Sequence, residues 1–224
     1  MADGGWRSLI ATPDGLVTSV IDFNFHPSRY VHSSWIADMV EPDIWMRLSS
    51  CTRTEPTLSR FVLERFGLTD RFWTDFGPTW RRLALLSPEI LHRVVLFAGL
   101  SLASAGFSRI VLGSEVRRLK GEIGEDGYNF AVKRAPFLVG DLAIIKPDTK
   151  AYDRRACERL GVSCLAAAFA DEDAGLTRRL FLKLPKDLAE TPDKQVSHLP
   201  RGRVAILLQK ITTEVSPLCL PLFT

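Results

Sequence analysis

The chain has 224 residues, 46% hydrophobic and 25% charged, with 13 phenylalanines. That is enough apolar material to build a core without disulfide staples, and it excludes a disordered chain. Its 29 basic and 26 acidic side chains leave a net charge of +3, too small and too dispersed an excess to mark a nucleic-acid binder.

Residues 1–20 carry the turns Gly4-Gly5 and Pro13-Asp14-Gly15 and read as a loose leader; Met1 to Ile10 lacks the apolar run of a secretory signal. Ile21-Asp22-Phe23-Asn24-Phe25 alternates apolar and polar, which predicts an extended segment or short strand near 21–25. Helical signals dominate from there. Ser33 or Ser34 can cap a helix carrying Trp35, Ile36 and Met39, to be broken near Pro42. Thr54-Glu55-Pro56 starts a second helix, with Leu58, Phe61, Val62 and Phe66 at helical spacing and Gly67 as the stop.

Ser87-Pro88-Glu89 opens an almost wholly apolar helix over about 87–105, the expected hub of the fold. The nearly uncharged run 94–108 is shorter than the ~20 residues needed to cross a bilayer, so no membrane insertion is expected. Helical segments follow over 107–120 and from Tyr128 to Leu138, then a break near 146–150 around Pro147. Asp153 to Asp171 puts Cys157, Leu160, Cys164 and Ala168 on one stripe. After a polar loop over 184–202, the last helix presents Val204, Leu207, Leu208, Ile211 and Val215 on one face. The expectation is a mainly α protein, with one helical domain over 21–224.

Motifs for chemistry are missing. No Gly-rich loop has nucleotide-binding spacing, and Gly121, Gly124 and Gly127 sit among acids that would repel phosphate. Ser101 falls inside the apolar helix, where its hydroxyl should bond to the preceding turn. His26, His32, His92 and His198 are dispersed, and Asp171-Glu172-Asp173 lacks the ligands of a calcium loop. The four cysteines, Cys51, Cys157, Cys164 and Cys219, form no zinc spacing and read as small buried hydrophobes in a reducing compartment. Catalytic, cofactor and metal sites are therefore not expected. What remains is contact surface: the paired basics Arg81-Arg82, Arg117-Arg118, Arg154-Arg155, Arg178-Arg179 and Arg201/Arg203, mostly solvated faces.

Two ends of the chain carry a resemblance. Phe23-Asn24-Phe25-His26-Pro27-Ser28-Arg29-Tyr30-Val31-His32, followed by Trp35-Ile36, resembles the opening of the type III secretion K-subunit family (YscK/SctK type). Leu207-Leu208-Gln209-Lys210-Ile211, with Pro217-Leu218-Cys219 and Leu222-Phe223, is similar to that family's close. Arg109 to Leu119 and Tyr128-Asn129-Phe130-Ala131 fall between them in the expected order.

The resemblance implies a non-catalytic cytoplasmic adaptor of the sorting platform, at the cytoplasmic face of the bacterial inner membrane. Its implied partners are the inner-membrane ring protein's cytoplasmic domain and the Q-type pod protein. The L-type stator and the export ATPase would be reached indirectly. Phe25, Pro27, Tyr30, His32 and Trp35 are then mainly structural, with His26, Arg29 and His32 ordering the entry loop. Charge and expected exposure single out Arg117, Arg118, Lys120, Arg178 and Arg179 as partner contacts. The alternatives are a helical binding or regulatory module unrelated to secretion, or an enzyme whose site assembles only in space.

Overall fold

The computed structural model describes residues 14–142, 153–191 and 199–223. Eleven α-helices follow in order within them: α1 (Asp14–Phe25), α2 (Pro42–Ser49), α3 (Glu55–Arg65), α4 (Pro88–Phe107), α5 (Gly113–Ile123), α6 (Glu125–Lys133), α7 (Ala135–Val139), α8 (Arg154–Ala168), α9 (Ala174–Leu182), α10 (Lys186–Ala189) and α11 (Arg201–Val215). Short 3-10 turns link several of them, and no strand occurs among the described residues. The mainly α expectation holds. The sequence break near 146–150 and residue His198 lie outside the described residues.

The extended segment expected at 21–25 is corrected: those residues are the last turns of α1. Leu16, Val20 and Phe23 recur at i, i+4 and i+7 and are buried, so a helical stripe governs the whole stretch. Within the pentad alone, Ile21 and Phe25 are one turn apart on the exposed side, which mimics alternation. The same helix takes in residues 14–20 of the segment read as a leader.

Two compact units are formed, one from residues 1–91, 171–189 and 221–224, the other from 92–170 and 190–220. In unit 1 the core gathers Tyr30, Val31, Trp35, Ile36, Trp45, Leu58, Val62, Leu68 and Leu182. The helix expected after Ser33 shrinks to a 3-10 turn, Ser33–Trp35, capped by the His32 side chain accepting from the Ser34 N–H. Gly67 ends the turn after α3 at φ +64°, a backbone region costly for other residues.

Much of unit 1 between residues 66 and 86 lacks α-helix, so its backbone groups need partners from elsewhere. Asn24 supplies two: its Nδ2 donates to the Trp73 carbonyl at 2.8 Å and its Oδ1 accepts from the Trp73 N–H at 2.8 Å. Helix α9 supplies others. Arg179 Nη2 donates to the Leu68 carbonyl at 3.0 Å and the Asn24 carbonyl at 3.5 Å. One turn on, Lys183 Nζ donates to the carbonyls of Ala84 (2.6 Å) and Leu86 (2.7 Å). The Lys183 nitrogen also lies over the rings of Phe23 and Tyr30. Burial pushes Lys183 down to about 7.

Unit 2 is organised around α4 from His92 onward. Helix α8 crosses it with backbones in contact: a Cβ added to Gly99 would overlap the Cys157 carbonyl, and one added to Gly161 would overlap the Val95 carbonyl. Ser101 donates to the Phe97 carbonyl at 2.9 Å, as its place in an apolar helix predicts. Helix α11 packs along α8 with Val204, Leu207, Leu208 and Ile211 buried. Cys157 and Cys164 are buried as expected, whereas Cys51 is exposed and Cys219 half-buried.

Helix α4 is longer than the uncharged run suggests, long and apolar enough by length and composition to cross a membrane. Of its most apolar window, 78% is buried within the protein, as in a core helix.

Glu158, on α8, is buried and faces two arginines and a histidine. Arg154 Nε donates to it at 2.9 Å, Arg155 Nη1 lies at 3.5 Å, and His92 Nε2 approaches to 3.2 Å. Burial is the largest single influence and opposes ionisation, but His92 and Arg154 together outweigh it and hold the carboxyl at about 2.

Two predictions follow from unit 2. Gly99→Ala and Gly161→Ala should each lower the unfolding free energy by about 3 kcal/mol, the upper end of overpacking costs, because backbone cannot rotate away. Gly121→Ala, whose Cβ would meet open space inside α5, should instead stabilise by about 0.5–1 kcal/mol; urea denaturation followed by circular dichroism measures all three. For Glu158, a depressed carboxyl contributes stability above its unfolded value and loses it as pH falls toward the folded one. The stability advantage of wild type over Glu158→Gln should therefore be full above about pH 4.5 and shrink toward pH 2.

Candidate partner-binding surface

The family-signature segment builds a polar network around one acid. Glu55, at the start of α3, accepts from Ser59 Oγ at 2.8 Å and meets His26 Nδ1 at 2.8 Å. Ser28 Oγ pairs with Ser59 Oγ at 2.7 Å, and Arg29 binds Asp22 at 2.6 Å. Burial opposes ionisation of Glu55, but Ser59 and His26 outweigh it and lower its pKa. Pro27, Tyr30 and Trp35 are buried; Tyr30 donates to the Phe23 carbonyl at 2.7 Å and Trp35 Nε1 to the Leu184 carbonyl at 2.8 Å. His32 holds its turn through Ser34, with Nδ1 at 2.8 Å from the Ser34 hydroxyl. Phe25 is the exception to burial: it stays partly exposed and stacks on Phe72.

The five basic residues expected at the surface divide between the units, Arg117, Arg118 and Lys120 in unit 2 and Arg178 and Arg179 in unit 1. Arg117 and Arg118 are exposed on α5, Arg118 paired with Glu122 at 2.7 Å. Lys120 binds Glu125 at 2.9 Å and lies over the Tyr128 ring. Arg178 is exposed on α9, its guanidinium over the rings of Trp35 and Phe66. Arg179 is corrected: its exposure is 0%. Adjacent residues on a helix point about 100° apart, so one member of an Arg-Arg pair can face solvent while the other enters the core. Burial depresses the Arg179 pKa, opposed by Tyr30 and Asp173. Sequence reasoning had no signal for this, because the acceptors are carbonyls of distant segments.

Other pairs are also absorbed by the fold. Arg81 sits by Trp73 and Trp80, binds Asp75, and meets Glu172 at 2.9 Å. Arg82 donates to the Phe76 carbonyl at 3.0 Å and the Leu222 carbonyl at 2.9 Å. Asp173 caps α9, accepting from the N–H groups of Gly175 and Leu176. No cluster with metal-ligand composition occurs among the described residues.

Exposed apolar side chains complete the surface. They include Ile44 and Met46 on α2, Val111 and Leu112 ahead of α5, and Leu218 near the C-terminal end. Phe137 (87% exposed) and Ile206 (52%) line a cleft of about 250 Å³. A second cavity of about 200 Å³ is walled by Asp22, Arg29, Tyr30 and Lys183. Both fall below the ~300–1,000 Å³ of ordinary ligand pockets.

Among the described residues this is a helical protein that exposes cations and apolar side chains on several elements. The sequence matches the family described as YOP proteins translocation protein K (YscK) over residues 17–224, and the chain belongs to that family of type III secretion-associated proteins. Nodulation protein NolU of Rhizobium fredii, and NolU of Sinorhizobium fredii (strain NBRC 101917 / NGR234), are each 24% identical over 199 residues, 84% of either chain. No solved structure matches significantly.

Separating the roles of neighbouring arginines is a direct test of the geometry. Arg179→Met should destabilise by about 1–3 kcal/mol for each carbonyl left bare. Arg178→Met removes only an exposed cation–aromatic contact and should cost about 0.5–1 kcal/mol. Thermal or urea unfolding of both variants checks the contrast.

Proposed function

We propose that this chain is a non-enzymatic adaptor of a type III secretion sorting platform, linking the inner-membrane ring protein's cytoplasmic domain to the Q-type pod protein. The observation that carries the reading is the family match, which runs through both units to the end of the chain. The surface agrees in kind: exposed cations on α5 and α9 and separated apolar side chains suit protein contacts. The adaptor works in the cytoplasm at the inner-membrane face, and the stator and export ATPase are reached through the pod protein.

Size-exclusion chromatography with light scattering tests this, using the full chain alone and mixed with each cognate protein. Co-elution with the ring domain and with the pod protein is expected. Charge reversal at Arg117 and Arg118 should weaken one of the two complexes about tenfold while leaving the unfolding midpoint unchanged. Co-elution with neither would overturn the adaptor and return the chain to a binding module of unrelated function.

A further inference from the structure

Lys183 lines the cavity of about 200 Å³ inside unit 1. The neighbours of its amine build much of the same wall. The nitrogen donates to the Leu86 carbonyl at 2.7 Å and lies over the rings of Phe23 and Tyr30, and all three residues line the cavity. A second hydrogen goes to the Ala84 carbonyl at 2.6 Å. Two hydrogens on two acceptors suit a neutral amine, whose lone pair is left over. An ammonium brings a third hydrogen, for which no further oxygen acceptor occurs among the described residues.

The charged groups around the amine are engaged elsewhere. Asp22, on the cavity wall, binds Arg29 at 2.6 Å. The Tyr30 hydroxyl donates to the Phe23 carbonyl, and burial raises its pKa, so no phenolate forms beside the amine. Arg179, one turn earlier on α9, is a like charge held by other carbonyls. Glu89, at the start of α4, favours the ammonium but forms no ion pair with it among the described residues. Burial outweighs Glu89 and leaves Lys183 at about 7, so both forms are populated at neutral pH. A desolvated neutral amine is the form in which lysine attacks a carbonyl carbon.

We propose that this cavity is a covalent site for a short-chain aldehyde, which the Lys183 nitrogen captures as an imine. The nitrogen lone pair forms the new N–C bond while the carbonyl π pair moves onto oxygen. The resulting carbinolamine loses water, both hydrogens of which come from the amine, and a C=N bond remains. The volume lies below that of ordinary ligand pockets, which restricts the aldehyde to a few carbon atoms. The apolar walls from Phe23, Tyr30 and Leu86 suit an uncharged molecule. A neutral imine keeps no N–H for the Ala84 and Leu86 carbonyls, so the adduct slackens the 3-10 stretch Thr79–Leu85. The inference needs no partner protein and stands apart from the adaptor reading.

Acetaldehyde with sodium cyanoborohydride traps such an imine as N-ethyl-lysine, which peptide mass mapping locates in the full folded chain. At pH 7 Lys183 is expected to label at least about tenfold faster than the exposed Lys133 and Lys210, since lysine in water is almost wholly protonated there. That ratio should fall as pH rises from 7 toward 10, because an amine in water gains neutral form over this range and Lys183 has little left to gain. Ser19→Trp, which fills the cavity from α1, should slow Lys183 labelling about tenfold while Lys133 labelling and the circular dichroism stay unchanged. The wild-type rates alone decide the outcome should that variant unfold. Labelling of Lys183 no faster than Lys133, labelling only after urea unfolds the chain, or indifference to a folded Ser19→Trp overturns the proposal.

Discussion

Unit 1 depends on two basic side chains that face inward. Arg179 on α9 and Lys183, one turn on and just past its end, reach carbonyls of Asn24, Leu68, Ala84 and Leu86. Those carbonyls lie at the end of α1 or in the stretch without α-helix, where helical partners run out, although the Leu68 carbonyl also accepts from the Arg71 N–H at 3.3 Å. A charged donor offers more than one N–H and a stronger bond than a neutral one, which suits a place where several acceptors converge. The cost is desolvation, visible in the depressed pKa values of both groups. Aromatic faces of Phe23 and Tyr30 beneath Lys183 offset part of it. Helix α9 therefore both packs, through the buried Leu176, Leu180 and Leu182, and carries donors.

The helical class and the hub were legible because both rest on periodicity and start signals. Ser87-Pro88-Glu89 opens α4, and Val204, Leu207, Leu208 and Ile211 of the α11 stripe are buried where spacing placed them, with Val215 only half-buried. Failure came where five residues were asked to separate two periods, as at 21–25. It came again where burial depends on a distant partner, as at Arg179. Charge in a sequence argues for exposure until an acceptor is known, and main-chain acceptors leave no mark in the residue string.

Family membership and structure constrain each other. The opening signature turns out to be mostly internal wiring: Asn24 holds Trp73, Glu55 gathers His26 and Ser59, and Trp35 reaches the Leu184 carbonyl. Such residues say which fold is present and little about what it touches. The surface, by contrast, offers isolated cations and apolar side chains on several elements, so contact specificity has to come from their combination. That division fits a proposed role in which one body holds more than one neighbour.

The meeting of α4 and α8 has a mechanical corollary. Where side chains separate two helices, load can be taken up by rotamer changes, and the pair yields gradually. At Gly99 and Gly161 the main chains themselves touch, with no compliant layer between. Sliding one helix along the other would drive each carbonyl into the neighbouring backbone, so the pair must separate before it can shear. Unit 2 thereby resists a pull along these helices as a stiff joint and gives way, when it does, all at once.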